Sequence, residues 1–252
     1  APPTPSVAPP HLPADNAWQH HGLVAHAFGA TLDRTTYTNS EEAIRLSHGY
    51  GFRVFEVDMM LLKDKRVALV HDEFEGRYGV SREKTFSGYT QSELKGKRFD
   101  GKYPMLFGDD LIRLMNVFPD SHFVLDTKGE HVEIARWFVR HMKPAMLDRL
   151  RPHVHSQEQI DGLRALYDWK GMVIATYKMG AGVQTKAIEL AAVNGINTVM
   201  IRGEDYSATM RKQFASKGVE HVFIHDAKTE AEARRWRSMG LGVYSHYWAW
   251  TS

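Results

Sequence analysis

Eight short runs of apolar and β-branched residues, separated by amphipathic stretches or by one long polar insertion, set the strongest constraint on how this chain can fold. The runs are 23–26, 52–58, 122–127, 150–154, 172–176, 198–202, 221–225 and 242–246. Between them, residues 40–49, 108–117, 131–142, 157–169, 183–194, 207–217 and 229–239 carry apolar side chains at helical spacing. Glycine follows several of these segments, at Gly171, Gly195, Gly218 and Gly240, where the chain must leave the helix. Strands separated by helix-length crossovers pair in parallel, and eight of them close into a barrel. The open doubly wound alternative lacks its Gly-x-Gly-x-x-Gly turn after the first strand. The pattern therefore predicts an α/β fold, a single (β/α)8 TIM barrel, which 252 residues suffice to build. Only six residues follow the eighth run, so a reduced or absent final helix is expected.

The expected organisation is a Pro-rich arm over 1–20 and a barrel domain over 21–252, with a long loop at about 73–104. Five of the ten prolines fall in the first ten residues, a start that resembles a spacer left after signal-peptide cleavage and suggests an exported, periplasmic or secreted protein. The loop is polar and rich in Gly and Lys, but it contains Tyr78, Phe86, Tyr89 and Phe99, and its place beside His71 suggests that it walls a site. With 43% hydrophobic and 25% charged residues the chain is not disordered. A net charge of +2 and the lack of a long basic run exclude nucleic acid as a partner. No cysteine is present, which excludes disulfides, thiolate nucleophiles and zinc-thiolate sites. No apolar run reaches the length of a transmembrane segment, and a monomer is expected.

Within the second strand, Glu56 and Asp58 lie two residues apart and point to one face. Two buried acids side by side need a cation between them. The following stretch reads as a hairpin: Met59–Leu62, a turn at Lys63-Asp64-Lys65-Arg66, then Val67–Val70. A four-residue loop pairing Leu62 with Val67 would set His71 directly opposite Asp58, and a slip of one residue would turn it away. Barrel active sites lie at the C-terminal strand ends. That rule selects His26, Glu56, Asp58, His71, Asp126 and Lys128. Three carboxylates suit a divalent cation, Mg²⁺ or Ca²⁺; two histidines suit an acid/base pair; a lysine suits a phosphate oxygen. Duller roles compete, with Glu56 and Asp58 paired to Arg53 and Lys63 and Asp126 capping a helix near Gly129. His153 and His155 share a strand face, and His153 is counted with the substrate-binding candidates. His225 and His246 stand at late strand ends, and Tyr247, Trp248 and Trp250 form a candidate apolar wall.

His26-Ala27-Phe28-Gly29, Asn39-Ser40-Glu41-Glu42-Ala43, Glu56-Val57-Asp58, His71-Asp72 and Val124-Leu125-Asp126-Thr127-Lys128 occur in the order and spacing of a known family. Over residues 22–247 the chain resembles the glycerophosphodiester phosphodiesterases. The resemblance implies that Glu56, Asp58 and Asp126 bind the cation and that His26 and His71 are catalytic, His26 taken as base and His71 as acid. It also implies that Lys128 contacts phosphate. Two positions depart from the family pattern: Ala27 stands where an arginine usually follows the first histidine, and Asp126 where the family usually has Glu. Arg34 is the candidate replacement for that missing phosphate contact, and Trp248 a further substrate-binding candidate. Both departures are shared with the sphingomyelinase D-like phospholipases. The implied activity is metal-dependent cleavage of glycerophosphodiesters or lysophospholipid-like substrates. The alternatives are a phospholipase D-like lyase that forms a cyclic phosphate and a catalytically silent headgroup-binding protein.

Overall fold

The computed structural model describes residues 17–180 and 182–247. Twelve strands follow in chain order: β1 Leu23–Ala25, β2 Val54–Leu61, β3 Val67–Leu69, β4 Arg98–Phe99, β5 Tyr103–Pro104, β6 Leu106–Phe107, β7 His122–Thr127, β8 Leu150–Val154, β9 Val173–Ala175, β10 Thr198–Arg202, β11 His221–Ala227 and β12 Gly242–Ser245. Eight of them, β1, β2 and β7 to β12, pair in parallel, and the additional β1–β2 pairing closes the ring. The expected barrel is the one observed. Trp248 and the rest of any final element lie outside the described residues.

The period-two pattern of the strands builds two packing layers. Val24, Val54, Val124, Met200, Phe223 and Tyr244 fill the barrel interior, with Trp18 from the turn Ala17–His21 stacked 5.7 Å from Phe223. The alternate residues, such as Phe55, Val57, Phe123 and Leu125, face the helices. Helices start where the sequence offers caps: Ser40, Ser156, Ser207 and Thr229 each accept a backbone N–H three residues on.

The hairpin register differs from the expectation by one residue. Met60 pairs with Ala68 and Leu61 with Val67, and Leu62 N–H donates to Arg66 O at 2.8 Å. The loop is therefore the three residues Lys63 to Lys65, closed by Lys65 at φ 62°. In this register the residue across from Asp58 would be Val70, and the ladder ends at Leu69. Residues 73–104 are not a bare loop. They fold over the hairpin on a satellite core in which Tyr78, Phe86, Leu94 and Phe99 pack with Met60 and Val70.

Candidate active site

Parallel register assembles the acid cluster. Asp58 on β2 lies beside Asp126 on β7, and Glu56 shares the inward face of Asp58. One ligand oxygen from each of Glu56, Asp58 and Asp126 falls within 4.8 Å of the others, and all three side chains are buried. Their partners are specific. Asn39 grips Asp58 at both ends, its Nδ2 donating to Oδ2 at 3.0 Å and its Oδ1 accepting the Asp58 N–H at 3.0 Å. Ala27 N–H donates to Glu56 Oε2 at 2.6 Å. Tyr177 donates its hydroxyl to Asp126, and His153 lies behind the same carboxylate at 3.7 Å while bonding Tyr244 at 3.0 Å.

Lys128 stands inside this cluster, its ammonium 2.9 Å from Asp58 and 2.6 Å from Asp126. The structure thus places it between Asp58 and Asp126. Three buried carboxylates against one ammonium leave an excess of negative charge. It falls on Glu56, whose carboxyl is pushed well above its usual range by burial and by Asp58 and Asp126. Burial works the same way on Asp58 and Asp126, but Lys128 outweighs it and keeps both below their ordinary values. Glu56 Oε1 is buried and hydrogen-bonded to nothing among the described residues. All-oxygen donors, surplus charge and an orphaned carboxylate oxygen fit a hard divalent cation. The duller roles do not hold. Arg53 pairs with Asp120 at 2.7 Å, and neither Lys63 nor a helix cap engages the three acids.

The other side of the mouth is built from imidazoles. The β1–β2 and β1–β12 registers bring His26, one residue past β1, beside Glu56 and His246. A left-handed turn carries it there, with Ala27 at φ 49° and Gly29 at φ 94°. A Cβ on Gly29 would lie 2.1 Å from Ser47 Oγ, which itself donates to Phe28 O. The fully buried Ala27 side chain offers no phosphate contact. His26 Nε2 lies 3.9 Å from Glu56 Oε2 and 3.2 Å from His225 Nε2; Nδ1 lies 3.4 Å from Asp226 Oδ2. His246 stacks on His26 at 4.3 Å.

His71 reaches the mouth although the expected pairing with Asp58 fails, because the chain leaves the ladder after Leu69. Its ring lies 5.4 Å from Tyr37, which also meets His26 at 5.0 Å. Phe74, from the 73–104 segment, closes on both Tyr37 and His71. Burial opposes the charge on His71, but its hydrogen bond to Asp72 and the field of Asp58 prevail and raise its pKa to about 9.

Two other candidates sit elsewhere. Arg34 is exposed on the 31–35 turn, its side chain in no contact with the acid cluster among the described residues. His155 is pinned to Ala175 O at 2.6 Å, and burial pushes it down to about 3. Asp226, Tyr37 and Tyr177 were given no role by sequence reasoning. The Asn39 motif was visible, but its grip on Asp58 was not.

No protein-family model and no curated protein matches the sequence. Solved structures do. A Galdieria sulphuraria protein assigned to the glycerophosphodiester phosphodiesterases superposes with a TM-score of 0.74 at 17% identity, over 89% of this chain and 93% of that one. An Oleispira antarctica phosphodiesterase in complex with the product sn-glycerol-3-phosphate gives 0.70 at 15%, over 89% and 92%. The glycerophosphodiester phosphodiesterase of Thermotoga maritima gives 0.68 at 18%, over 88% and 92%. This chain has the barrel fold of those enzymes. Its acid cluster occupies the C-terminal strand ends, where such barrels carry their chemistry.

Proposed function

We propose that this chain is a divalent-cation-dependent phosphodiesterase acting on glycerophosphodiesters or lysophospholipid-like substrates. The observation that carries the reading is the convergence of Glu56, Asp58 and Asp126 within 4.8 Å at the barrel mouth that also holds His26 and His71. A cation bound by the three acids would neutralise the nonbridging oxygens of the phosphate. His71, with its pKa near 9, is protonated at neutral pH and is the group to donate to the leaving alkoxide. Asp226, 3.4 Å from His26 Nδ1, favours a proton on that nitrogen and leaves Nε2 to accept one from the attacking oxygen. Lys128 stays charged: burial works against it, but the acids beside it raise its pKa. The sn-glycerol-3-phosphate held by the Oleispira antarctica protein supports a small phosphodiester as substrate.

The test is turnover of a panel of glycerophosphodiesters and lysophospholipids with Mg²⁺ or Ca²⁺, wild type against His26→Ala. Loss of the histidine should lower kcat by about 10²–10⁴. Wild-type release no greater than that of the variant would refute the reading. Phosphorus NMR of the product separates net hydrolysis from release of a cyclic phosphate.

A further inference from the structure

We infer that the mouth contains a second metal site, made by His26, Asp226 and His246 and suited to a transition ion of the zinc class. One ligand atom from each of the three falls within 4.8 Å of the others. His26 Nδ1 and His246 Nε2 lie 3.4 Å and 4.0 Å from the same atom, Asp226 Oδ2.

A stack of histidines around a carboxylate can be mere packing, but the hydrogen-bond census argues otherwise. His246 is 5% exposed, and both its ring nitrogens are buried with no hydrogen-bond partner among the described residues. His26 Nδ1 is buried as well and makes no well-aligned hydrogen bond among the described residues, its near neighbour being Asp226 Oδ2 at 3.4 Å. Buried polar atoms in native structures are almost always satisfied, so two open imidazole nitrogens beside one carboxylate, His26 Nδ1 and His246 Nε2, point to a missing ligand. Two imidazoles and one carboxylate leave a fourth tetrahedral position open, the donor set preferred by zinc and unlike the all-oxygen acid cluster. A cleft of about 500 Å³ is lined in part by His225 and Asp226.

The site has a consequence for the proposed hydrolysis, and this part rests on that reading. His26 Nδ1 can hold a proton or a metal ion but not both. An ion there leaves Nε2 as the protonated nitrogen and removes the base, so zinc would inhibit turnover supported by Mg²⁺ or Ca²⁺.

Binding is measured by equilibrium dialysis with Zn²⁺ and by the visible absorption of Co²⁺ on the intact chain. Wild type should take up one low-micromolar Zn²⁺ that His246→Gln and Asp226→Asn weaken by at least about 100-fold, more than the loss of a supporting residue outside the ligand set would cause. Asp126→Asn should leave that ion in place. No uptake by wild type, unchanged uptake by His246→Gln and Asp226→Asn, or loss in Asp126→Asn alone would overturn the site. Ring ¹⁵N shifts of His26 and His246 in wild type, recorded with and without Zn²⁺, decide the matter if the variants fail to fold: unmoved shifts refute it. Zinc uptake without phosphodiesterase activity would count against the proposed function only. Activity indifferent to bound zinc would count against the inhibition only.

Discussion

The two halves of the barrel mouth are built on opposite plans. On the acid side, Glu56, Asp58 and Asp126 come from adjacent, regular strands in register, and each is held by a partner from the chain: Ala27, Asn39, Tyr177 or Lys128. On the histidine side, His26 and His246 stand just past the ends of β1 and β12, and His225 and Asp226 sit where the β11–β12 register shifts between Ile224 and Ala227. There both ring nitrogens of His246 are left without hydrogen bonds among the described residues. A half whose acids are held in place and still carry surplus charge suits a fixed ion beside its ammonium. A half with open nitrogens is suited to exchange, whether of protons or of ligands.

The sharpest way to break this contrast is to remove the countercharge. Lys128→Met leaves three buried acids with no ammonium, and breaking a buried ion pair costs about 3–5 kcal/mol. The variant should melt well below wild type in a chelator and recover most of that loss with Mg²⁺ or Ca²⁺. Equal melting temperatures in chelator would show that Lys128 is not what the acids depend on. Asn39→Ala comes next. It removes a donor to the ionised Asp58 carboxylate and should cost about 1.5–3 kcal/mol in chemical denaturation. A change within about 0.5 kcal/mol would mean that Asp58 is placed by its strand alone.

The same contrast explains what could be read from the sequence. The acid half was legible because its geometry follows from strand periodicity and parallel register, both of which local pattern encodes. The eight barrel strands were found for that reason, with ends shifted by up to three residues, as at Phe52–Asp58 against Val54–Leu61. The histidine half depends on a bulge. Strict alternation sends residues 225 and 226 to opposite faces, whereas the extra residue in β11 lets both reach the mouth. Hairpin arithmetic failed by one residue because the turn uses a left-handed Lys65, which nothing in Lys63-Asp64-Lys65-Arg66 announces. Lys128 was read by its reach to phosphate. The unmet charge of three desolvated acids, which draws it inward, becomes countable only once they are seen to be buried together.

His71 allows a finer test of how far the acid half extends. Because Asp72 and Asp58 raise it to about 9 against the pull of burial, a catalytic acid at this position stays competent up to that pH and fails above it. A cation bound to Asp58 would offset part of that field, so the alkaline limb of the kcat profile should lie above the ordinary histidine range and no higher than about 9. Asp72→Asn should draw the limb down by about one unit, equivalent to about 1.4 kcal/mol. A limb that does not move would take His71 out of the acid role and leave the acid half without a proton donor.

The smallest effect supplies the reference against which the histidine half can be weighed. His122, at the start of β7, is pushed down to about 3 by burial and by Arg151 and Arg149. Its unfolded pKa is about 6.5, so between these values the unfolded chain binds one more proton and stability falls as pH falls. At about pH 6 that amounts to about 0.8 kcal/mol for one such histidine. His122→Gln should therefore lose about 0.8 kcal/mol less than wild type when denaturation is compared at about pH 8 and pH 6. An identical loss in both proteins would mean that His122 takes up its proton equally in the folded chain, and that the acid sensitivity of the fold arises elsewhere.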